Sequence, residues 1–473
     1  MDNLLTNIKK NYQKVFNKKL KESKQLRRSG SYRKYYRLKG FDGQTVLAVY
    51  NPDVYENDAF VAFAGHFAEL GFNVPQVYSY FREDKIYFVQ DLGDKTLYDF
   101  VVSRNSDDGL FDIYKKILDY LLQFQFIGVK GIDLGKCYPR KYFDKQSIMW
   151  DLNYFKYFVL KQAKVSFNEQ ALEDDFNVLA DYLVLAGMDS FMYRDFQSKN
   201  IMLYNNDMYF IDFQGGRKGA FYYDLASLLY DSKAKLTESF REKMLDYYYL
   251  GLQKYKKIDR TQFNKFYYHF VLIRMLQAFG AYGFRGLVEK KISFVKSIPE
   301  ALSNIRILLE NGYPDLNVSE LKSSLEKLVY ESEFVHRYKK IKGVRIKINS
   351  FSYHYSAYPK DETGNGGGFV FDCRSLPNPG RLEEYKLKTG LDKEVEEYLD
   401  SYAEVEEFLQ EVVEIVVKAA RKYANRGFEN LQVNFGCTGG RHRSVYCAER
   451  TGEILRELYG LDVDIRHLMQ EKW

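Results

Sequence analysis

Cysteine is scarce in this chain. Cys137, Cys373, Cys437 and Cys447 are the four in 473 residues. No two of them are spaced as a pair, which argues against a disulfide framework and against a cysteine-based zinc site. Long hydrophobic runs are also missing. Apolar residues make up 46% of the chain, enough for real cores, yet no run of them is long enough to span a bilayer. The N-terminus, MDNLLTNIKKNYQKV, lacks the layout of a secretory signal, so a cytoplasmic location is expected. The length suits a few domains of ~100–200 residues each.

Charge is unevenly spread. Residues 343–473 carry 18 Lys and Arg against 22 Asp and Glu, a net of −4, so the +6 of the whole chain leaves +10 for residues 1–342. Much of that excess lies in the first 40 residues, where Leu5, Ile8, Tyr12, Phe16 and Leu20 recur at helical spacing. This predicts a basic amphipathic helix. It could serve a membrane surface or a nucleic acid, or simply pack on the next lobe with its charges solvated. Residues 25–92 read as a small β-rich lobe, with strands at 32–38, 45–50 and 86–90 and a helix at 53–70. From 96 to 330 the pattern is mostly helical. A basic stretch then leads to strands at 345–348, 369–372 and 431–435 and a helix at 405–423, an α/β pattern with a partly parallel sheet.

The segment Tyr193-Arg194-Asp195-Phe196-Gln197-Ser198-Lys199-Asn200 precedes two short apolar runs, 201–204 and 208–211, separated by Asn205-Asn206-Asp207. A tight hairpin there returns Asn200 to the side of Asp212. One carboxylate, one amide and a second carboxylate are what phosphoryl transfer needs. Asp195 would orient a hydroxyl, while Asn200 and Asp212 would hold Mg²⁺ on the phosphates of ATP.

With its neighbours, this segment resembles the aminoglycoside-phosphotransferase-like small-molecule kinases. Within them it is most similar to those that phosphorylate N-acetylmuramate and N-acetylglucosamine at the anomeric hydroxyl. The resemblance runs over 29–310 and includes SGSYRKYYRL (29–38), DLGD (91–94), WDLNYF (150–155) and YYDLASLL (222–229). It implies an α+β, protein-kinase-like, two-lobed fold over 1–330, with a small lobe at about 25–92 and a helical lobe at about 96–330. It also implies ATP and Mg²⁺ as cofactors, an amino-sugar substrate and a place in cell-wall sugar recycling. Asp195 and Arg194 become catalytic-loop residues, and Asp224 braces that loop. Two departures stand out. Tyr193 replaces the usual His, and the strand 46–50 has no Lys for the nucleotide phosphates. Gly30, Arg33, Lys34 and Arg37 are the candidates for the nucleotide side, since any cation aimed at the phosphates does part of that work.

The second motif is Phe435-Gly436-Cys437-Thr438-Gly439-Gly440-Arg441-His442-Arg443-Ser444, between a strand and a helix. Small residues let backbone N–H groups turn inward, and the helix N-terminus adds positive potential, so the loop reads as an oxyanion or phosphate cradle. It also fits Cys-x5-Arg-Ser, the phosphate loop of cysteine phosphatases, with Asp372 as a candidate acid. FVFDCRSLPNPG (369–380), TGLDKEVEEYL (389–399) and GCTGGRHRSVYCAE (436–449) resemble the C-terminal domain of the RapZ RNase-adapter family over 343–473, after a linker at 331–342. That resemblance implies a phosphosugar site built from Asp372, Arg374, Cys437, Thr438, Gly439, Gly440, His442, Arg443 and Ser444, self-association through this domain, and RNA binding. The acidic balance and a tail with only Arg466 and Lys472 as fixed cations favour phosphosugar sensing over RNA.

Overall fold

The computed structural model describes residues 2–26, 32–103, 109–232, 234–312, 315–356, 359–362, 364 and 367–472. It divides into two compact units, Met1–Ala281 with Glu300–Val329, and Tyr282–Pro299 with Tyr330–Trp473.

In the first unit, β1 (Leu20–Gln25), β2 (Lys34–Gly40), β3 (Thr45–Tyr50), β4 (Val77–Phe81) and β5 (Ile86–Gln90) form an antiparallel sheet in the order β1-β2-β3-β5-β4. The helix Val54–Glu69 follows β3. Asp53 starts it, accepting the N–H groups of Tyr55 and Glu56 on its carboxylate. The N-terminal helix stops at Phe16, and Leu20 already belongs to β1, a polar edge strand that carries no hydrophobic period. Ile8 and Tyr12 are buried with Tyr36, Leu38, Val46, Ala48, Ile86 and Phe88. The basic helix thus packs its apolar stripe on the sheet, and burying a side chain such as Ile8 contributes about 1.5–3 kcal/mol.

The helical part carries two small antiparallel ribbons. β6 (Ser190–Met192) pairs with β9 (Arg217–Gly219), and β7 (Ile201–Tyr204) with β8 (Asp207–Phe210). Tyr204 pairs with Asp207 across a two-residue turn, and Asn205 and Asn206 have φ of 50° and 62°. Two positive φ values in a two-residue loop match the right-handed twist of the strands, and Asn tolerates them.

In the second unit, β10 (Arg345–Ser352), β11 (Gly368–Asp372), β12 (Asn430–Cys437) and β13 (Asp462–His467) lie in the order β11-β12-β10-β13. Every pairing is parallel, so the sheet is parallel throughout its described strands rather than in part. The crossovers explain this, because the helices Ala403–Asn425 and Arg443–Tyr459 separate β11 from β12 and β12 from β13. Val405, Leu409, Val412, Val413, Val416 and Ala420 of the first crossover helix are buried. The stretch 331–342, expected as a linker, is folded instead. It holds the helix Glu333–Tyr338, which buries Phe334 and Tyr338.

Candidate active and ligand-binding sites

The β7–β8 hairpin does what its turn residues predict and brings Asn200 back to Asp212. Asn200 Nδ2 donates to the Asp195 carbonyl oxygen at 2.8 Å and lies 3.4 Å from Asp212 Oδ2. The two carboxylates and the amide are therefore one cluster. Arg194 and Asp212 have φ of 81° and 70°, strained values for non-glycine residues that concentrate at working sites. The loop is braced from behind. Asp224, fully buried on the helix Tyr222–Leu229, accepts the N–H groups of Tyr193 (2.7 Å) and Arg194 (2.9 Å). Asp231 accepts both the N–H and the hydroxyl of Ser198. Tyr193, where a His was the usual residue, donates its hydroxyl to Ile211 O at 2.6 Å and so ties the two ends of the motif together.

Burial pushes the Asp195 carboxyl up. The charge of Asp212 adds to this, while Arg274 and Arg194 oppose it. Gln197 Nε2 donates to Asp195 Oδ1 at 3.3 Å. The Arg194 guanidinium does not join the cluster. It donates to Asp151 Oδ1 at 2.6 Å and stacks between Phe143 and Tyr223, so it positions the loop.

The nucleotide-side candidates separate clearly. Arg33 is only 6% exposed and donates to Asp212 Oδ1 at 2.6 Å and to Glu56 Oε1 at 2.5 Å. Asn51 holds the other oxygen of Glu56 at 2.6 Å. Arg33 thus bridges Glu56 on the helix to Asp212 of the candidate cluster. Arg37 is engaged elsewhere, on Asp91 and Asp94. Lys34 lies on β2 opposite Tyr50, with no ion pair to a described residue. Gly30 lies outside the described residues. Asp212 also accepts from Gln214 at 2.7 Å. Glu56, Gln214 and Asp231 escaped the sequence reading because each acts across a gap with no local pattern to mark it.

The donor set fits a hard divalent cation. Asp212 supplies a carboxylate, and the Nδ2 bond to Asp195 O orients the Asn200 amide with Oδ1 left for a metal.

In the second unit the parallel register sets Asp372 opposite Gly436, so both candidate segments meet at the carboxyl ends of β11 and β12. Cys437 Sγ lies 3.1 Å from Ser444 Oγ, and both residues are buried. Thr438 and Gly439 are exposed at the tip. Gly440 has φ +67°, and a Cβ there would meet Met469 Cγ at 2.6 Å, so the loop's tightest point tolerates no side chain. The three donor side chains are turned differently from the expectation. Arg441 donates to Leu387 O and Lys388 O, His442 Nε2 lies 2.9 Å from Tyr385 O, and Arg443 donates to Arg374 O and Leu376 O. They pin the segment 374–388 to the loop. Only the second nitrogen of Arg443 faces the cradle, 3.4 Å from Thr438 Oγ1. Ser352, which the sequence did not single out, donates to Thr438 O at 2.6 Å from the end of β10. Arg374 pairs with Asp372 at 2.7 Å and stacks over Tyr353. That pairing holds the Asp372 carboxyl below its ordinary range, the opposite of what a general acid needs.

The two units match different families. The model of the phosphotransferase enzyme family matches residues 23–258, and that of the RapZ C-terminal domain matches residues 344–471. A nucleotide-binding protein of Thermotoga neapolitana is 42% identical over 130 residues, 28% of this chain and 44% of that protein. One of Saccharophagus degradans is 35% identical over 157 residues, 33% of this chain and 49% of that protein. This chain thus spans just under half the length of these relatives. Among solved structures, choline kinase from Cryptosporidium parvum Iowa II matches at 13% identity and a TM-score of 0.46, over 68% of this chain and 99% of that one. No helix among the described residues is long and apolar enough to cross a membrane. The chain thus joins a segment that matches the phosphotransferase enzyme family, residues 23–258, to one that matches the RapZ C-terminal domain, residues 344–471.

Proposed function

We propose that the first unit is an ATP- and Mg²⁺-dependent kinase that phosphorylates a hydroxyl of an N-acetylated amino sugar, and that the second unit binds a phosphorylated sugar. The observation that carries the kinase reading is the convergence of Asp195, Asn200 and Asp212, with Arg33 on Asp212. Asp195 accepts the proton of the attacking hydroxyl. Its proton affinity, raised by burial and by the Asp212 charge, suits that role. Asn200 and Asp212 would hold the cation, which offsets charge on the transferring phosphoryl group. Arg33 supplies a fixed positive charge on the same side. Arg194, held by Asp151, keeps Asp195 in place.

The resemblance to amino-sugar kinases selects the substrate class. The test is an ATP-consumption screen over N-acetylmuramate, N-acetylglucosamine and unacetylated hexoses, with the product located by NMR. Turnover is expected with the acetylated sugars, and Asp195→Asn should lower kcat by at least ~10²-fold. Undiminished turnover in that variant would remove Asp195 from the mechanism.

For the second unit, the exposed loop tip at the strand ends supports an anion site. The low-lying, Arg-paired carboxyl of Asp372 counts against cysteine-phosphatase chemistry.

A further inference from the structure

The second unit holds a cavity of about 440 Å³ that is separate from the 437–444 loop. Its floor is apolar, built from Val295, Val413, Val417, Ile454 and Leu458. Tyr338 and Tyr459 wall one side, with rings 6.3 Å apart at 23°. Its volume lies within the ~300–1,000 Å³ of small-molecule sites. The walls contributed by 287–295 and 333–338 lie outside both family matches, which end at 258 and begin at 344.

Two guanidinium groups stand at this apolar chamber, Arg337 and Arg421. Neither forms an ion pair with a carboxylate among the described residues. Arg421 Nη2 donates only to backbone oxygens, Arg337 O at 2.6 Å and Lys339 O at 2.9 Å. Burial pulls its proton affinity down, with Tyr459 opposing, so its charge lies in a partly dehydrated place with no carboxylate in ion-pair contact among the described residues. Glu333 and Glu414 also reach the lining, but neither pairs with these two guanidinium groups. Arg337 in turn meets the Tyr338 side chain, so both cations have neutral partners but no paired anion among the described residues, and an anion entering the chamber supplies that charge. Guanidinium is also the group best shaped to grip a carboxylate through two parallel hydrogen bonds.

We propose that this cavity is a binding site for a small amphipathic anion, a carboxylate or sulfonate on an apolar body. The body lies on the valine and leucine floor, and the acid group meets Arg337 and Arg421.

The test uses the full chain and 8-anilinonaphthalene-1-sulfonate, an anion on an apolar ring system. A saturable, one-to-one rise in fluorescence is expected with the folded protein. Decanoate should displace the dye, and decylammonium, with the same chain and the opposite charge, should not. Val417→Trp, which fills the floor, and Arg337→Gln, which removes one cation from a partly exposed position, should each weaken the dye by about tenfold or more, the scale of one charge-assisted contact. If Val417→Trp fails to melt cooperatively, Arg337→Gln alone carries the test. Absence of saturable binding, equal displacement by both chains, or unchanged affinity in the folded variants would overturn the proposal. So would dye binding abolished by concentration-dependent dimerisation, which would give the cavity to a second copy.

Discussion

Arg33 is the residue whose role departs most from what its position in the chain suggests. It precedes β2, yet its charge meets Asp212, 179 positions later, as well as Glu56 on the following helix. Arg33→Ala would leave Asp212 and Glu56 facing each other across the nucleotide side with no cation. A fall in kcat/KM for ATP on the order of 10–10² is expected, partly restored by Arg33→Lys. Steady-state kinetics over ATP concentration would measure it. Asp224 gives a second prediction at this scale. Burial raises its carboxyl from the ordinary range to about 7, against the pull of two backbone N–H groups. Between roughly pH 4 and that value the folded chain keeps a proton that the unfolded chain has released. Stability from this group is therefore full below the ordinary Asp range, falls as the pH rises through the window, and levels off above about 7. Denaturant melts from pH 4 to 8 should show that slope, and Asp224→Asn should flatten it.

At the scale of elements, the β7–β8 hairpin is the device that closes the candidate active site. Its two-residue turn holds Asn205 and Asn206 at positive φ. A β-branched residue resists that backbone by roughly 1–2 kcal/mol. Asn206→Val should lower the melting temperature and also raise the Mg²⁺ concentration needed for half-maximal turnover, because a splayed ribbon separates Asn200 from Asp212. A change in melting temperature with no change in metal requirement would disconnect the hairpin from the site. This hairpin was legible in the chain because strand, turn and chemistry sit within 20 consecutive residues. So was the strand–loop–helix around Cys437. β1 and β13 were not, because LKESKQ is a polar edge and DVDIRH lies at the other sheet's rim, so neither shows an apolar run. The direction of Arg441, His442 and Arg443 was also hidden. Sequence supplies their donor groups, but the carbonyl oxygens that claim them lie 53–69 positions away.

At the scale of the whole chain, charge and connectivity matter. With −4 on residues 343–473 and +10 on the remainder, the RapZ-type domain carries more acids than bases. A gel-shift titration of the full chain with structured RNA at about 150 mM salt should give no sub-micromolar complex that depends on residues 343–473, since non-specific affinity comes from cations neutralising phosphates. A tight, salt-steep complex lost in variants of the 437–444 loop would restore the adapter reading. The order in which the two units are threaded has a further effect. The chain enters the second unit at Tyr282, returns to the first at Glu300 and leaves it again at Tyr330. On the ribosome, then, the first unit cannot be completed until part of the second has already been made. Residues 282–299 must wait for more than a hundred further codons before the sheet they belong with exists. Until then their Leu287, Ile292 and Val295 have no core to join, and a nascent chain arrested between 300 and 430 is where a chaperone would find this protein most exposed.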